Sequence, residues 1–103
     1  MQMPIDDPTI YISKIASRTG LDQKTQNRAI EILREAKKAN AVVGKLPVGL
    51  AAAALYIASI MNSEEKRITQ QELAEAAGVT EVTVRNRYKG LVKSLGMKDI
   101  SAL

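Results

Sequence analysis

The chain has 103 residues, 46% of them hydrophobic and 25% charged, which predicts one globular domain with a modest core. It contains no Cys and no His, which excludes a structural zinc site, a disulfide, a cysteine nucleophile and a histidine base, and we expect no cofactor. The formal charge of +4 suits a polyanionic partner, and the absence of Phe and Trp favours a duplex over a single strand, whose bases need aromatic stacking platforms.

Two helices are predicted before residue 41. Asp7 followed by Pro8 predicts an N-cap and a first-turn proline, and Gly20 predicts the stop of a first helix of about twelve residues. Asp22 predicts the N-cap of a second, longer helix, whose apolar residues repeat at helical spacing and which ends near Asn40.

The third predicted helix begins at Pro47, after the break at Gly44. Its run from Val48 to Met61 is apolar apart from one serine and one tyrosine hydroxyl. At about fourteen residues it is too short to cross the roughly 30 Å of a bilayer core, and we expect no membrane partner. A helix that is apolar nearly all round should be buried, so it is the expected axle about which the others pack.

A short helix and a longer one complete the chain. Thr69 with Glu72 predicts a capping box, and Gly78 predicts the end of the short helix. Thr80 predicts the N-cap of a helix from about Glu81 to Leu95. The fold class is therefore all-α with five helices. The tight turn between the last two favours a helix-turn-helix, with an ordinary αα-hairpin as the alternative.

The last helix has two contrasting faces when it is projected at about 100° per residue. Its inward face comprises Val84, Tyr88, Leu91 and Leu95, and its outward face comprises Val82, Arg85, Asn86, Lys89 and Lys93. Positive charge is concentrated here, because residues 85–98 hold five basic side chains and no acid. The pattern predicts a recognition helix that enters the major groove of DNA.

Each outward residue suggests a role. Arginine can bond guanine, asparagine can pair with adenine and an exposed valine can touch a thymine methyl, so the candidate base-reading residues are Val82, Arg85 and Asn86. The candidate phosphate contacts are Thr80, Thr83, Arg87, Lys89, Lys93 and Lys45. The plainer alternatives are that Val82 packs on the preceding helix and that Arg85 and Lys45 are only solvated. Gly90 costs a helix about 1 kcal/mol relative to Ala and indicates either a close approach or no role.

Other function classes remain open at this stage. A protein-docking module would need a broad exposed apolar groove, and a dimeric repressor would need a spare apolar helix. An enzyme has the least support, because Glu72 and Glu75 share one helix surface without a matching carboxylate pair, nucleophile or phosphate loop. No secretory signal opens the chain at Met1, so we expect an intracellular protein.

Two segments carry a resemblance to a known family: Gly44-Lys45-Leu46-Pro47 leading into the run from Ala51 to Ala58, and the stretch from Ala77 to Tyr88. Both resemble the second cyclin-like repeat of transcription factor B, particularly the archaeal form. The resemblance implies a five-helix cyclin-like repeat over residues 8–96, with the helix-turn-helix at about 69–95. An N-terminal extension over 1–7 and a tail over 97–103 would flank it.

The same resemblance implies a function. In this family the last two helices read the B-recognition element, a purine-rich promoter segment upstream of the TATA box, and Val82 and Arg85 match the base-reading positions. The factor joins TATA-binding protein and helps to recruit RNA polymerase, in the cytoplasm if the source is archaeal. The family's zinc ribbon, linker and first repeat have no match here, so we expect an excised C-terminal domain, monomeric, with weakened binding to both partners.

Overall fold

The computed structural model describes residues 8–41, 45–62 and 68–96, and these ranges contain five α-helices and no strand. In chain order the helices are α1 (Ile10–Thr19), α2 (Gln23–Lys38), α3 (Pro47–Met61), α4 (Gln70–Ala77) and α5 (Glu81–Ser94). This confirms the all-α class. The expectations for Asp7, Gly44 and the two terminal segments lie outside the described residues.

Local signals account for most helix boundaries. The carboxylate of Asp22 accepts a hydrogen bond from the backbone N–H of Thr25 at 2.8 Å, which caps α2 as expected. Gly20 ends α1 with a φ of 77°, and Asn40 follows α2 with a φ of 58°, both in the left-handed region that helix ends favour. Helix α1 has ten residues, two fewer than expected, and Thr9 occupies its N-cap position without a side-chain cap bond. The carbonyl oxygen of Pro8 accepts from the N–H of Tyr11 at 3.1 Å in the turn that leads into the helix.

The axle of the fold is α3. Pro47 occupies its first turn, where the missing N–H costs nothing. From Gly49 to Leu55 every residue is buried, and α3 packs against each of the other four helices. The alanines at 51–54 have no exposed surface, so neighbouring helices approach closely on several sides. These contacts confirm the surrounded helix that the sequence predicts.

Two further contacts tie the axle to its neighbours. The side-chain amide of Asn62, at the C-terminal end of α3, donates a hydrogen bond to the hydroxyl of Thr25 at 3.0 Å, and Thr25 is fully buried at the start of α2. The rings of Tyr56 in α3 and Tyr88 in α5 meet edge to face, with centroids 5.1 Å apart and planes at 86°. The second contact fixes α5 directly to the axle.

In the part of the chain that the structure describes, no helix is both long enough and apolar enough to cross a membrane.

Candidate nucleic-acid interface

The turn between α4 and α5 is closed by backbone hydrogen bonds. Gly78 has a φ of 73°, and its N–H donates to the carbonyl oxygen of Glu75 at 3.3 Å. The N–H of Val79 donates to the carbonyl oxygen of Ala74 at 3.0 Å. Together these bonds form a Schellman motif, which needs the left-handed conformation that glycine adopts without strain. The chain therefore reverses within residues 78–80 and places α5 beside α4.

Side-chain caps begin both helices of this pair. Thr69 and Glu72 form the expected capping box, each side chain accepting from the other's backbone N–H at 3.0 Å. Thr80 caps α5, its hydroxyl oxygen accepting from the N–H of Thr83 at 3.1 Å. The same Thr80 oxygen lies 2.9 Å from the Thr83 hydroxyl. Because one proton is used within this pair, only one of the two hydroxyls can donate to a phosphate at a time.

The inner sides of α4 and α5 pack together as a helix-turn-helix requires. Leu73, Ala74 and Val84 are buried between the helices, and Val79 is partly buried against the core. The buried face of α5 comprises Val84, Tyr88, Leu91 and Val92. Val92 was not predicted there, and Leu95 lies past the end of the helix and is only half-buried. The expected division of α5 into two faces otherwise holds.

The outward face of α5 is open to solvent. Val82 is 52% exposed, so about half of its surface is open to a ligand. Arg85, Asn86, Lys89 and Lys93 are also exposed, and none of them bonds to another described residue. The only acid in α5 is Glu81, in its first turn. The candidate base readers Val82, Arg85 and Asn86 therefore share one basic surface with Lys89 and Lys93, and we call these five residues the α5 face.

Thr83 and Arg87 lie on a flank of α5 that contacts α3, and both are half-buried. A β-carbon added to Gly49 of α3 would lie 3.1 Å from the γ-methyl of Thr83 and 3.5 Å from the Cγ of Arg87. The backbone of α3 therefore supports the stem of Arg87. A supported stem leaves the guanidinium less conformational freedom to lose when it binds a phosphate.

Two sequence expectations near this surface have different outcomes. Lys45 is exposed just before α3, as a phosphate contact requires. Gly90 is exposed on α5, and nothing in the described residues lies within 4 Å of where its β-carbon would be. The close approach to another helix that its position suggested is therefore absent from this part of the chain.

Two residues that position the candidate interface, Gly49 and Arg18, are not indicated by the sequence. Gly49 carries no local signal, because the contact that requires a glycine comes from α5. Arg18 in α1 donates from Nη1 to the carbonyl oxygen of Ala76 at 2.7 Å and so holds the last turn of α4. A cation at the C-terminal end of a helix is favourable, but nothing in the sequence pairs residues 58 positions apart.

The two acidic residues considered for catalysis, Glu72 and Glu75, both lie on the surface of α4. The carboxylate of Glu72 is part of the capping box, and Glu75 is exposed on the same helix. Within the described ranges, no three acidic side chains come together as they would around a metal ion.

Comparison with known proteins identifies this arrangement. The family model Transcription factor TFIIB repeat matches residues 1–94. The chain belongs to this family. The TFIIB repeat has a cyclin-like fold, which confirms the fold implied by the resemblance and agrees with the five helices. The family consists of general transcription factors that are not enzymes.

Three similar curated proteins come from archaea. The chain is 55% identical over 98 residues to "Transcription initiation factor IIB" of Pyrobaculum neutrophilum, covering 95% of this chain and 29% of that protein. It is 58% identical over 91 residues to the protein of the same name from Pyrococcus abyssi, covering 88% of this chain and 30% of that protein. "Transcription initiation factor IIB 1" of Thermococcus kodakarensis is 57% identical over 91 residues, with the same coverage. The chain thus spans about three-tenths of the length of these relatives.

Proposed function

We propose that the chain is the second cyclin-like repeat of an archaeal transcription factor B and that it reads the B-recognition element through α5. The observation that carries this proposal is the α5 face, where an exposed valine stands beside unpaired arginine and lysine side chains. Helix α5 enters the major groove, Val82 touches a thymine methyl and Arg85 bonds a guanine edge. Asn86 is the third base-reading residue.

The remaining cations set the position of the helix on the duplex. Lys89 and Lys93 on α5, Arg87 on its flank and Lys45 before α3 neutralise phosphates. Phosphate contacts add affinity on every sequence, whereas a bidentate arginine contact adds about 1 to 3 kcal/mol of preference for one base. Sequence reading is thus assigned to the first two turns of α5. The surrounding phosphate contacts set the position of the helix along the duplex.

The proposed partners are those that the family resemblance implies. We expect the repeat to act with TATA-binding protein on promoter DNA in assembling the initiation complex, in the cytoplasm of an archaeal cell. Recruitment of RNA polymerase is expected of a longer factor. Among the described residues all five helices pack into one core, which favours a monomer over a dimeric repressor.

The direct test is binding of the full chain to a duplex that carries a purine-rich element beside a TATA box, compared with a duplex whose element is scrambled. Binding is titrated with salt, with and without TATA-binding protein. We expect preference for the intact element, and Arg85→Ala should lower that preference about 5- to 150-fold, the equivalent of one bidentate contact. Arg34→Ala is the matched control, because Arg34 is an exposed and unpaired arginine on α2.

Two results would contradict the proposal. The first is equal loss for Arg85→Ala and Arg34→Ala on both duplexes, which would make Arg85 one solvated cation among others. The second is salt-sensitive binding without sequence preference even when TATA-binding protein is present. That outcome would favour a cyclin-like module that docks on a protein.

A further inference from the structure

Leu46 is an unusual residue for its position. It is 70% exposed, more than any other exposed large hydrophobic side chain in the described residues. It occupies the N-cap of α3, where a polar side chain would cap the helix and leucine cannot. Its backbone is extended, with φ −68° and ψ 129°, the conformation that the following Pro47 favours. The extended backbone before Pro47 therefore leaves the leucine side chain at the surface, where it contributes little to the core.

The surroundings of Leu46 are those of the candidate interface. Gly49, one helical turn later, is the residue against which Thr83 and the stem of Arg87 pack. Lys45, immediately before Leu46, is exposed. The start of α3 thus lies along the flank of α5 to which the phosphate contacts are assigned, and it presents one cation and one large apolar side chain there.

We propose that Leu46 packs against the sugar–phosphate backbone of the duplex, with its methyl groups on the deoxyribose carbons between phosphates bound by Lys45 and Arg87. This inference rests on the proposed function. The unpaired cations near the start of α3, Lys45 and Arg87, favour a polyanionic occupant over an uncharged apolar surface. A deoxyribose ring offers carbon atoms between two phosphates. One strand of the duplex can therefore contact Leu46 through a sugar and both cations through the adjacent phosphates.

Such a contact has a distinct thermodynamic signature. Removing an apolar contact with the sugar weakens binding to every duplex equally, since sugars carry no sequence information. It leaves the dependence on salt unchanged, because no counterion is released by a neutral side chain. Loss of a base contact would change the sequence preference instead, and loss of a phosphate contact would change the salt dependence.

The test compares Leu46→Ala with Met61→Ala in the full chain, on the intact and scrambled duplexes, at several salt concentrations. Met61 is the matched control, because it is a large hydrophobic residue, 47% exposed, at the opposite end of the same helix. We expect Leu46→Ala to weaken binding to both duplexes about 3- to 10-fold with an unchanged salt slope. Met61→Ala should bind like the unsubstituted chain, and thermal unfolding of both variants checks that they remain folded.

Three outcomes would overturn the inference. If Leu46→Ala binds both duplexes normally while Arg85→Ala loses its preference, Leu46 does not touch DNA and the proposed function stands. If Leu46→Ala loses affinity only when TATA-binding protein is present, the leucine contacts that protein. If Met61→Ala weakens binding as much, the loss is not specific to this surface. Conversely, sequence-blind binding that still weakens with Leu46→Ala would support the inference while contradicting the proposed reading of sequence.

Discussion

The γ-methyl of Thr83 lies 3.1 Å from the position that a β-carbon on Gly49 would occupy. This distance is shorter than ordinary van der Waals contact, so the glycine allows α5 to lie directly on the backbone of α3. The hydroxyl of Thr83 is already engaged with Thr80, which limits how far the methyl can turn away. This contact limits how closely α3 and α5 can lie at this point.

We expect Gly49→Ala to be destabilising, or neutral at best, even though alanine is worth about 1 kcal/mol more than glycine within a helix. The added carbon must push Thr83 and α5 outward, which costs about 1 kcal/mol or more. In a Thr83→Ser background the methyl is gone and the same substitution should stabilise. Chemical denaturation of the four chains gives the coupling energy. A coupling of zero would mean that the two helices are free to separate.

The N-caps of α4 and α5 offer a matched pair of substitutions. Thr69→Ala and Thr80→Ala each remove a threonine whose hydroxyl caps a helix, so each should lower the free energy of unfolding by about 1 kcal/mol. Only Thr80 is itself a candidate phosphate contact, and its hydroxyl is hydrogen-bonded to that of Thr83. Thr80→Ala should therefore also weaken duplex binding severalfold. Equal binding by the two variants would remove Thr80 from the interface.

Gly90 should be replaceable without harm to the fold. It is exposed in the middle of α5 with open space around its α-carbon. Gly90→Ala should stabilise the chain by about 1 kcal/mol. For a domain of this size the melting temperature would rise by roughly 4 to 8 °C. A gain in stability combined with a loss of duplex affinity would show that the DNA backbone approaches α5 here, and no gain in stability would contradict the expectation.

A comparison of substitutions at Lys93 and Lys37 distinguishes a phosphate contact from a general effect of net charge. Both are exposed lysines without a partner among the described residues, but Lys37 lies on α2 and Lys93 on the α5 face. Lys93→Ala should weaken binding to intact and scrambled duplexes alike and reduce the slope of log K against log salt by about 0.9. Lys37→Ala should change neither quantity appreciably. Equal slopes for the two variants would assign Lys93 to the solvated surface.

The sequence predicts those features of the fold that depend on neighbouring residues. Asp22, Thr69 and Thr80 each cap a helix through a bond to the residue three positions later, so the pattern of the cap is visible in the chain itself. Gly78 and Pro47 act in the same local way. The first turn of α1 is less clearly marked, because Thr9 occupies the N-cap position without a side-chain cap bond.

The features that the sequence does not predict come from contacts between distant segments. Arg18 meets the carbonyl of Ala76 across 58 positions, and the Tyr56 and Tyr88 rings meet across two helices. Val92 borders the outward face on a helical projection, and it is buried because α5 packs on two neighbours at once. On the interface, the outward residues of α5 follow from periodicity, whereas the support from Gly49 and the position of Leu46 require the packed structure.

The buried alanines of α3 tolerate few substitutions, whereas the exposed residues of α5 tolerate many. Any larger side chain at residues 51–54 must displace a neighbouring helix, because each alanine is fully enclosed. Val82, Arg85 and Asn86 meet solvent and can be exchanged with little effect on the packed body. Single substitutions can therefore change the chemistry of the outward face of α5 during evolution without preventing the chain from folding.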